Sequence, residues 1–80
     1  MKVNVKCFSQ VKYALGSDQF SLEIESGKTT ENLEQIIRKK ADGALDGITL
    51  SIAVNQVYVQ GILVLKDGDE VAFIPPVQGG

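Results

Sequence analysis

An α+β fold, one main helix packed on a mixed sheet, is predicted for this 80-residue chain by three features of its sequence. Five short segments alternate in polarity, one apolar stripe recurs at helical spacing, and turn residues separate them. A chain this short buries only about 60% of the surface its unfolded form exposes, so it supports one core and one domain.

From Lys2 to Phe8, Val3, Val5 and Cys7 alternate with Lys2, Asn4 and Lys6, the period of a half-buried strand. Residues 9–15 read as a short helical turn carrying Val11 and Leu15 inward. Gly16-Ser17-Asp18 then turns the chain into a second strand, where Phe20, Leu22 and Ile24 oppose Ser21, Glu23 and Glu25. Ser26-Gly27-Lys28 breaks that strand, and Thr29 stands as N-cap of a helix over residues 30–40. Its stripe is Leu33, Ile36, Ile37 and Ala41. Glu31 and the run Arg38-Lys39-Lys40 lie at the ends that suit their charges, Glu34 is one turn from Arg38, and Gly43 suits a left-handed stop.

Beyond Asp46-Gly47, Ile48, Leu50, Ile52 and Val54 alternate with Thr49, Ser51 and Ala53 as a third strand, and Asn55-Gln56 turns it into a fourth at Val57-Tyr58-Val59. Residues 62–65 are a short apolar run, Lys66-Asp67-Gly68-Asp69 is a turn, and residues 70–74 are the last strand, with Val71 and Phe73 in one phase. Pro75-Pro76 ends it, since proline has no N–H to give a ladder. Setting the first strand beside the last brings both chain ends to the sheet centre, the β-grasp, ubiquitin-like arrangement. Residues 1–74 are then the domain, and residues 75–80 an extended tail ending in Gly-Gly.

Composition removes several function classes. A net charge of −2 and a pI near 4.9 leave no excess of Lys and Arg to neutralise phosphates, so nucleic acid is not an expected partner. No apolar run approaches the roughly 20 residues of a membrane span, and no signal pattern follows Met1, so a cytoplasmic protein is expected, with no membrane partner. With no histidine and one cysteine, Cys7, neither a metal site nor a hydrolase built within the chain is expected. Chemistry here needs a partner's side chains.

The segment Leu65-Lys66-Asp67-Gly68-Asp69-Glu70-Val71-Ala72-Phe73-Ile74-Pro75-Pro76-Val77-Gln78-Gly79-Gly80 closely resembles the C-terminus of the molybdopterin synthase small subunits, a family of ubiquitin-like sulfur carriers. Phe8-Ser9-Gln10-Val11-Lys12 and Ala53-Val54-Asn55-Gln56 are similar to that family too, so the resemblance spans the chain. Thiamine-pathway carriers share the Asp-Gly-Asp turn and the Gly-Gly end but typically lack Pro75-Pro76-Val77, which favours the molybdopterin branch. A carrier for thiamine or another sulfur pathway, and a ubiquitin-like protein modifier, stand as alternatives.

The resemblance implies a noncatalytic subunit whose Gly80 carboxylate is adenylated, converted to a thiocarboxylate, and used to deliver sulfur to a pterin precursor for the molybdopterin dithiolene. Its implied partners are the synthase large subunit, in a heterotetramer of two small and two large subunits, and a ubiquitin-activating-like adenylyltransferase. No cofactor is expected on the chain itself, and ATP is consumed by the adenylating partner.

The tail fits that chemistry. A carboxylate is a poor electrophile until its oxygen is made a leaving group, and a thiocarboxylate holds nucleophilic sulfur covalently until use. Gly79 and Gly80 lack a Cβ, so the backbone can enter a narrow channel. Pro75 and Pro76 fix their φ angles and limit the entropy lost on threading, with Val77 and Gln78 completing the approach. Four Cα steps from Pro76 to Gly80 reach roughly 13 to 14 Å.

Other features have simpler readings. Cys7 shares the phase of Val3 and Val5, so packing is expected of it rather than sulfur transfer. Arg38-Lys39-Lys40 reads as a solvated helix end, and the acidic cluster at residues 67–70 as a turn. Ala72 and Ile74 have the opposite phase to Val71 and Phe73, which places them on the outer sheet face as candidate partner-binding residues.

Overall fold

The alternation at the start of the chain folds as β1 (Lys2–Cys7), with its apolar phase turned into the core: Val3 and Val5 are fully buried and Cys7 nearly so. This is a computed structural model, and it describes residues 1–76. After β1 come α1 (Gln10–Leu15), β2 (Gln19–Glu23), α2 (Thr30–Lys40), β3 (Ser51–Val54), β4 (Val57–Tyr58) and β5 (Glu70–Ile74). The sheet order is β2-β1-β5-β3-β4, with β1 and β5 parallel and the other pairs antiparallel. The first and last strands are therefore central neighbours, pairing Val5 with Val71 and Cys7 with Phe73. This is the β-grasp arrangement.

α2 begins and ends where its stripe predicts. Thr29 Oγ1 accepts from the Asn32 N–H at 3.2 Å, and the Thr29 N–H donates to Asn32 Oδ1 at 3.0 Å, a reciprocal cap that satisfies helix-end donors. Leu33, Ile37 and Ala41 are buried against Val3, Val5, Val71 and Phe73 in one core. α1 buries Val11, while Leu15 is only half-buried.

The third strand is shorter than its alternation predicts, starting at Ser51 rather than Ile48. Ser51 pairs with Ile74 in an antiparallel ladder, and since Glu70 turns its backbone toward β3, alternate residues after it do the same, so the next N–H due to face β3 falls at Pro76, which has none. Residues 41–47 form turns instead, and Leu45, which belongs to no periodic stripe, is buried in the core. Arg38 holds this stretch. Its guanidinium donates to Leu45 O at 2.7 Å and Ile48 O at 2.6 Å, and its Nε donates to Glu34 Oε2 at 2.9 Å. The solvated helix end expected of residues 38–40 is thus corrected at Arg38, whose planar fork ties the helix to the loop.

The two turns that feed β5 and β4 are locked together. Asn55 and Gln56 both take positive φ, 51° and 70°, the sign that a two-residue type I′ hairpin requires. In the acidic turn, Asp69 Oδ2 accepts from the Lys66 N–H at 2.8 Å, Asp67 Oδ1 from the Lys2 N–H at 2.7 Å, and Gly68, at φ 87°, donates its N–H to Lys2 O at 2.7 Å. These carboxylates are committed to backbone donors, so the cluster works as a turn and fixes the start of β5 against β1. Among the described residues no buried side-chain polar atom lacks a hydrogen-bond partner.

Candidate functional site: the tail exit and the sheet face beside it

β5 delivers the chain to the tail. Its core phase, Val71 and Phe73, is fully buried, which fixes this central strand up to Ile74 and the two prolines that follow it. Pro75 is still buried, so packing continues one residue beyond the strand, and Pro76 is exposed. Val77, Gln78, Gly79 and Gly80, the predicted tail and acceptor residues, lie outside the described residues.

The outer face next to this exit is built from register. One row across the sheet runs Lys6, Ala72, Ala53, Tyr58, and the next pairs Ile74 with Ser51. Ile74 is half-buried on that face, as its phase predicts. Ala72 shares the face but is only 8% exposed, because neighbouring side chains close over a methyl that projects so little. It contributes floor rather than a free contact, and Ala53 does the same.

Two aromatic residues on this surface carry no site role in the sequence reading. Phe8 is 46% exposed, and since Cys7 pairs with Phe73 it stands at the same end of the sheet as Ile74. Tyr58 is 64% exposed at the far end of the alanine row. The signal for Phe8 was available, because it follows Lys2, Asn4 and Lys6 in the polar phase of β1. Tyr58 needed the hairpin register. Lys6 and Glu70 pair at 3.5 Å on the same face, leaving its polar half next to its apolar half.

Cys7 lies on the opposite, inner side. Desolvation by burial raises its thiol pKa above the ordinary value, and the negative charge of Asp18 raises it further. A thiol held protonated and 3% exposed is a poor nucleophile. The described part of the site thus holds a rigid mount, a flanking apolar surface and no reactive side chain of its own.

Residues 5–80 match the ThiS family. The molybdopterin synthase sulfur carrier subunit of Chlamydomonas reinhardtii is 42% identical, with the whole of both chains covered. That of Escherichia coli K12 is 40% identical, covering 98% of this chain and 99% of the relative. Among solved structures, a putative molybdopterin converting factor subunit 1 from Pyrococcus furiosus superposes with a TM-score of 0.85 at 31% identity, covering 96% of this chain and 99% of that one. A chain of the Helicobacter pylori complex of molybdopterin-converting factor subunits 1 and 2 superposes at 0.70 with 28% identity and full coverage of both. The small archaeal modifier protein 1 of Haloferax volcanii, at 19% identity and a TM-score of 0.83, shares the fold.

Proposed function

This chain belongs to the ThiS family, and within it to the molybdopterin synthase sulfur carriers, and on that premise we propose that it carries sulfur on the C-terminal carboxylate of Gly80. The observation that carries the proposal is the central β1–β5 pair, whose strand β5 stops at Ile74 and is followed by an exposed Pro76 four residues before that carboxylate. Because β5 is pinned by Val71 and Phe73 and by the acidic turn, the tail starts from a fixed point. Four residues then span at most about 13 to 14 Å from Pro76, enough to enter a neighbouring active site.

The chemistry runs in three steps. In the adenylating partner, the Gly80 carboxylate attacks the α-phosphorus of ATP and pyrophosphate leaves. Hydrosulfide, or the terminal sulfur of a donor persulfide, then adds to the acyl carbon and AMP departs as a stable phosphate leaving group. Hydrosulfide gives the thiocarboxylate directly, whereas the acyl disulfide formed with a persulfide is cleaved to the thiocarboxylate by a thiol, which ends as a disulfide with the donor. In the large subunit, the thiocarboxylate sulfur displaces an oxygen substituent from a side-chain carbon of the pterin precursor, and water cleaves the resulting thioester, leaving the sulfur on the pterin and returning the carboxylate. The chain's own part is to hold and present the sulfur, so it is noncatalytic.

The apolar patch of Ile74, Phe8 and Tyr58 supports docking beside the tail exit, since a threaded tail needs its root fixed. We place the large subunit on it, in a heterotetramer of two carriers and two large subunits, and a ubiquitin-activating-like adenylyltransferase on the same tail at an earlier step. We place this cycle in the cytoplasm. Intact mass of the chain after incubation with the adenylating enzyme, ATP and a sulfur donor tests the proposal: one carboxylate oxygen is replaced by sulfur, and an unchanged mass would refute it.

A further inference from the structure

A second apolar surface lies around the β4 edge, away from the tail exit. Val57, Ile62, Leu63 and Val64 are 43 to 66% exposed and, with Tyr58, line an open groove of about 440 Å³. The carrier chemistry makes no use of it. Three consecutive aliphatic side chains turned to water are unfavourable on a surface that meets nothing. The segment is also firmly held. The Thr30 N–H donates to Leu63 O at 2.9 Å, the Leu63 N–H donates to Thr30 Oγ1 at 3.2 Å, and the Leu65 N–H donates to Lys28 O at 2.9 Å. Thr30 is itself 1% exposed, and Leu65 anchors the segment in the core. A backbone fixed in this way has little ordering entropy left to lose when the surface is covered.

Size and position decide the occupant. The exposed parts of these five side chains amount to roughly 400–500 Å², well below the about 800 Å² per partner of a stable interface, so a second copy of this chain meeting the patch alone would be held weakly. The patch is, however, continuous with a larger surface. Tyr58 both lines the groove and ends the Lys6-Ala72-Ala53-Tyr58 row, so the groove carries the sheet face beside the tail exit round the β4 edge. A partner that receives the tail and lies along that face reaches the groove at Tyr58. Charge narrows the choice further. The charged residues lining the groove are Lys66 and Asp69, and Asp69 already accepts from the Lys66 N–H and from Asn55 Nδ2.

We infer that this groove is the outer part of the interface with the synthase large subunit, filled by an uncharged, apolar segment of that subunit. The inference rests on the sulfur-carrier reading and extends it to a surface far from the tail. Its test compares the dissociation constant of the full chain for the large subunit with those of Ile62→Glu, Val57→Thr and Ile74→Asp, alongside melting temperature, sedimentation of each chain alone, and thiocarboxylate formation by the adenylating enzyme.

The expected result is at least tenfold weaker binding by Ile62→Glu, with melting and thiocarboxylate formation unchanged. Val57→Thr nearly preserves shape and should weaken binding severalfold, which carries the test if Ile62→Glu lowers the melting temperature. Full affinity in both groove variants, with Ile74→Asp impaired, would overturn the groove and leave the carrier reading standing. Failure of the unmodified chain to bind any large subunit would overturn both. Self-association of the unmodified chain that Ile62→Glu abolishes, with large-subunit affinity unchanged, would assign the groove to a second copy and overturn the inference.

Discussion

Asn55 and Glu70 hold each other from both sides. The Asn55 N–H donates to Glu70 O at 2.8 Å, and the Glu70 N–H donates to Asn55 Oδ1 at 3.0 Å. The hairpin turn between β3 and β4 is thereby fixed to the first residue of β5, the strand that presents the tail. Asn55 also sits at φ 51°, a conformation that asparagine tolerates better than most residues. Asn55→Ala should destabilise the domain by about 1–2 kcal/mol, through lost hydrogen bonds and the left-handed backbone. Asn55→Gly relieves only the backbone part and should cost less. Urea unfolding of the two variants checks the order, and equal losses would contradict the backbone argument.

Arg38 should matter more than its surface position implies. Removing it leaves the carbonyls of Leu45 and Ile48 without their donor and loosens a loop that buries Leu45. Arg38→Ala is expected to cost about 1–3 kcal/mol, and Arg38→Lys most of the same amount, because a single ammonium cannot reproduce the fork. Glu34→Gln should cost only about 0.3–0.5 kcal/mol, as for a one-turn helix pair. The comparison is again by denaturant unfolding, and a fully stable Arg38→Lys would show that the guanidinium geometry is unimportant.

Cys7 should take no part in sulfur handling. With its thiol pKa raised by burial and by Asp18, the thiolate fraction at any pH below that raised value is smaller than for a free cysteine. A disulfide reagent at mildly alkaline pH should label the folded chain far more slowly than the urea-unfolded chain. Cys7→Ala should form thiocarboxylate at the unmodified rate. Loss of thiocarboxylate in a normally folded Cys7→Ala chain would make the thiol part of the reaction.

Ile74→Asp tests the patch beside the exit. Ile74 is half-buried, and an aspartate there faces either water or an apolar partner. The complex with the large subunit should weaken at least tenfold, with far-ultraviolet circular dichroism unchanged. An unaltered dissociation constant would remove Ile74 from the interface.

The sequence was most legible where one physical effect acts alone. The bounds of α2 followed from Thr29 and a single stripe, and the face of each residue in β1 and β5 followed from the two-residue period. Ile74 was legible for the same reason. The third strand was misjudged because alternation reports which side chains fit a strand, whereas the ladder also needs a partner, and that partner ends at Ile74, before the two prolines. Leu45 and the triple role of Arg38 depend on a loop folding back on α2, which no local pattern encodes. Ala72 shows the limit of phase as a guide: it identified the face correctly but not the covering of a small side chain by its neighbours.

Sulfur carriage on this chain depends on the carboxylate of Gly80. Adding one alanine after Gly80 moves that carboxylate one residue outward and puts a Cβ beside it where glycine has none, while the described core, which closes at Pro75, is untouched. Gly79→Ala should slow the reaction more mildly, since the carboxylate keeps its distance from the fold. The decisive measurement is intact mass after incubation with the adenylating enzyme, ATP and a sulfur donor. The unmodified chain should exchange one oxygen for sulfur and the extended chain should not, whereas equal sulfur on both chains would contradict the assignment of Gly80 as the acceptor.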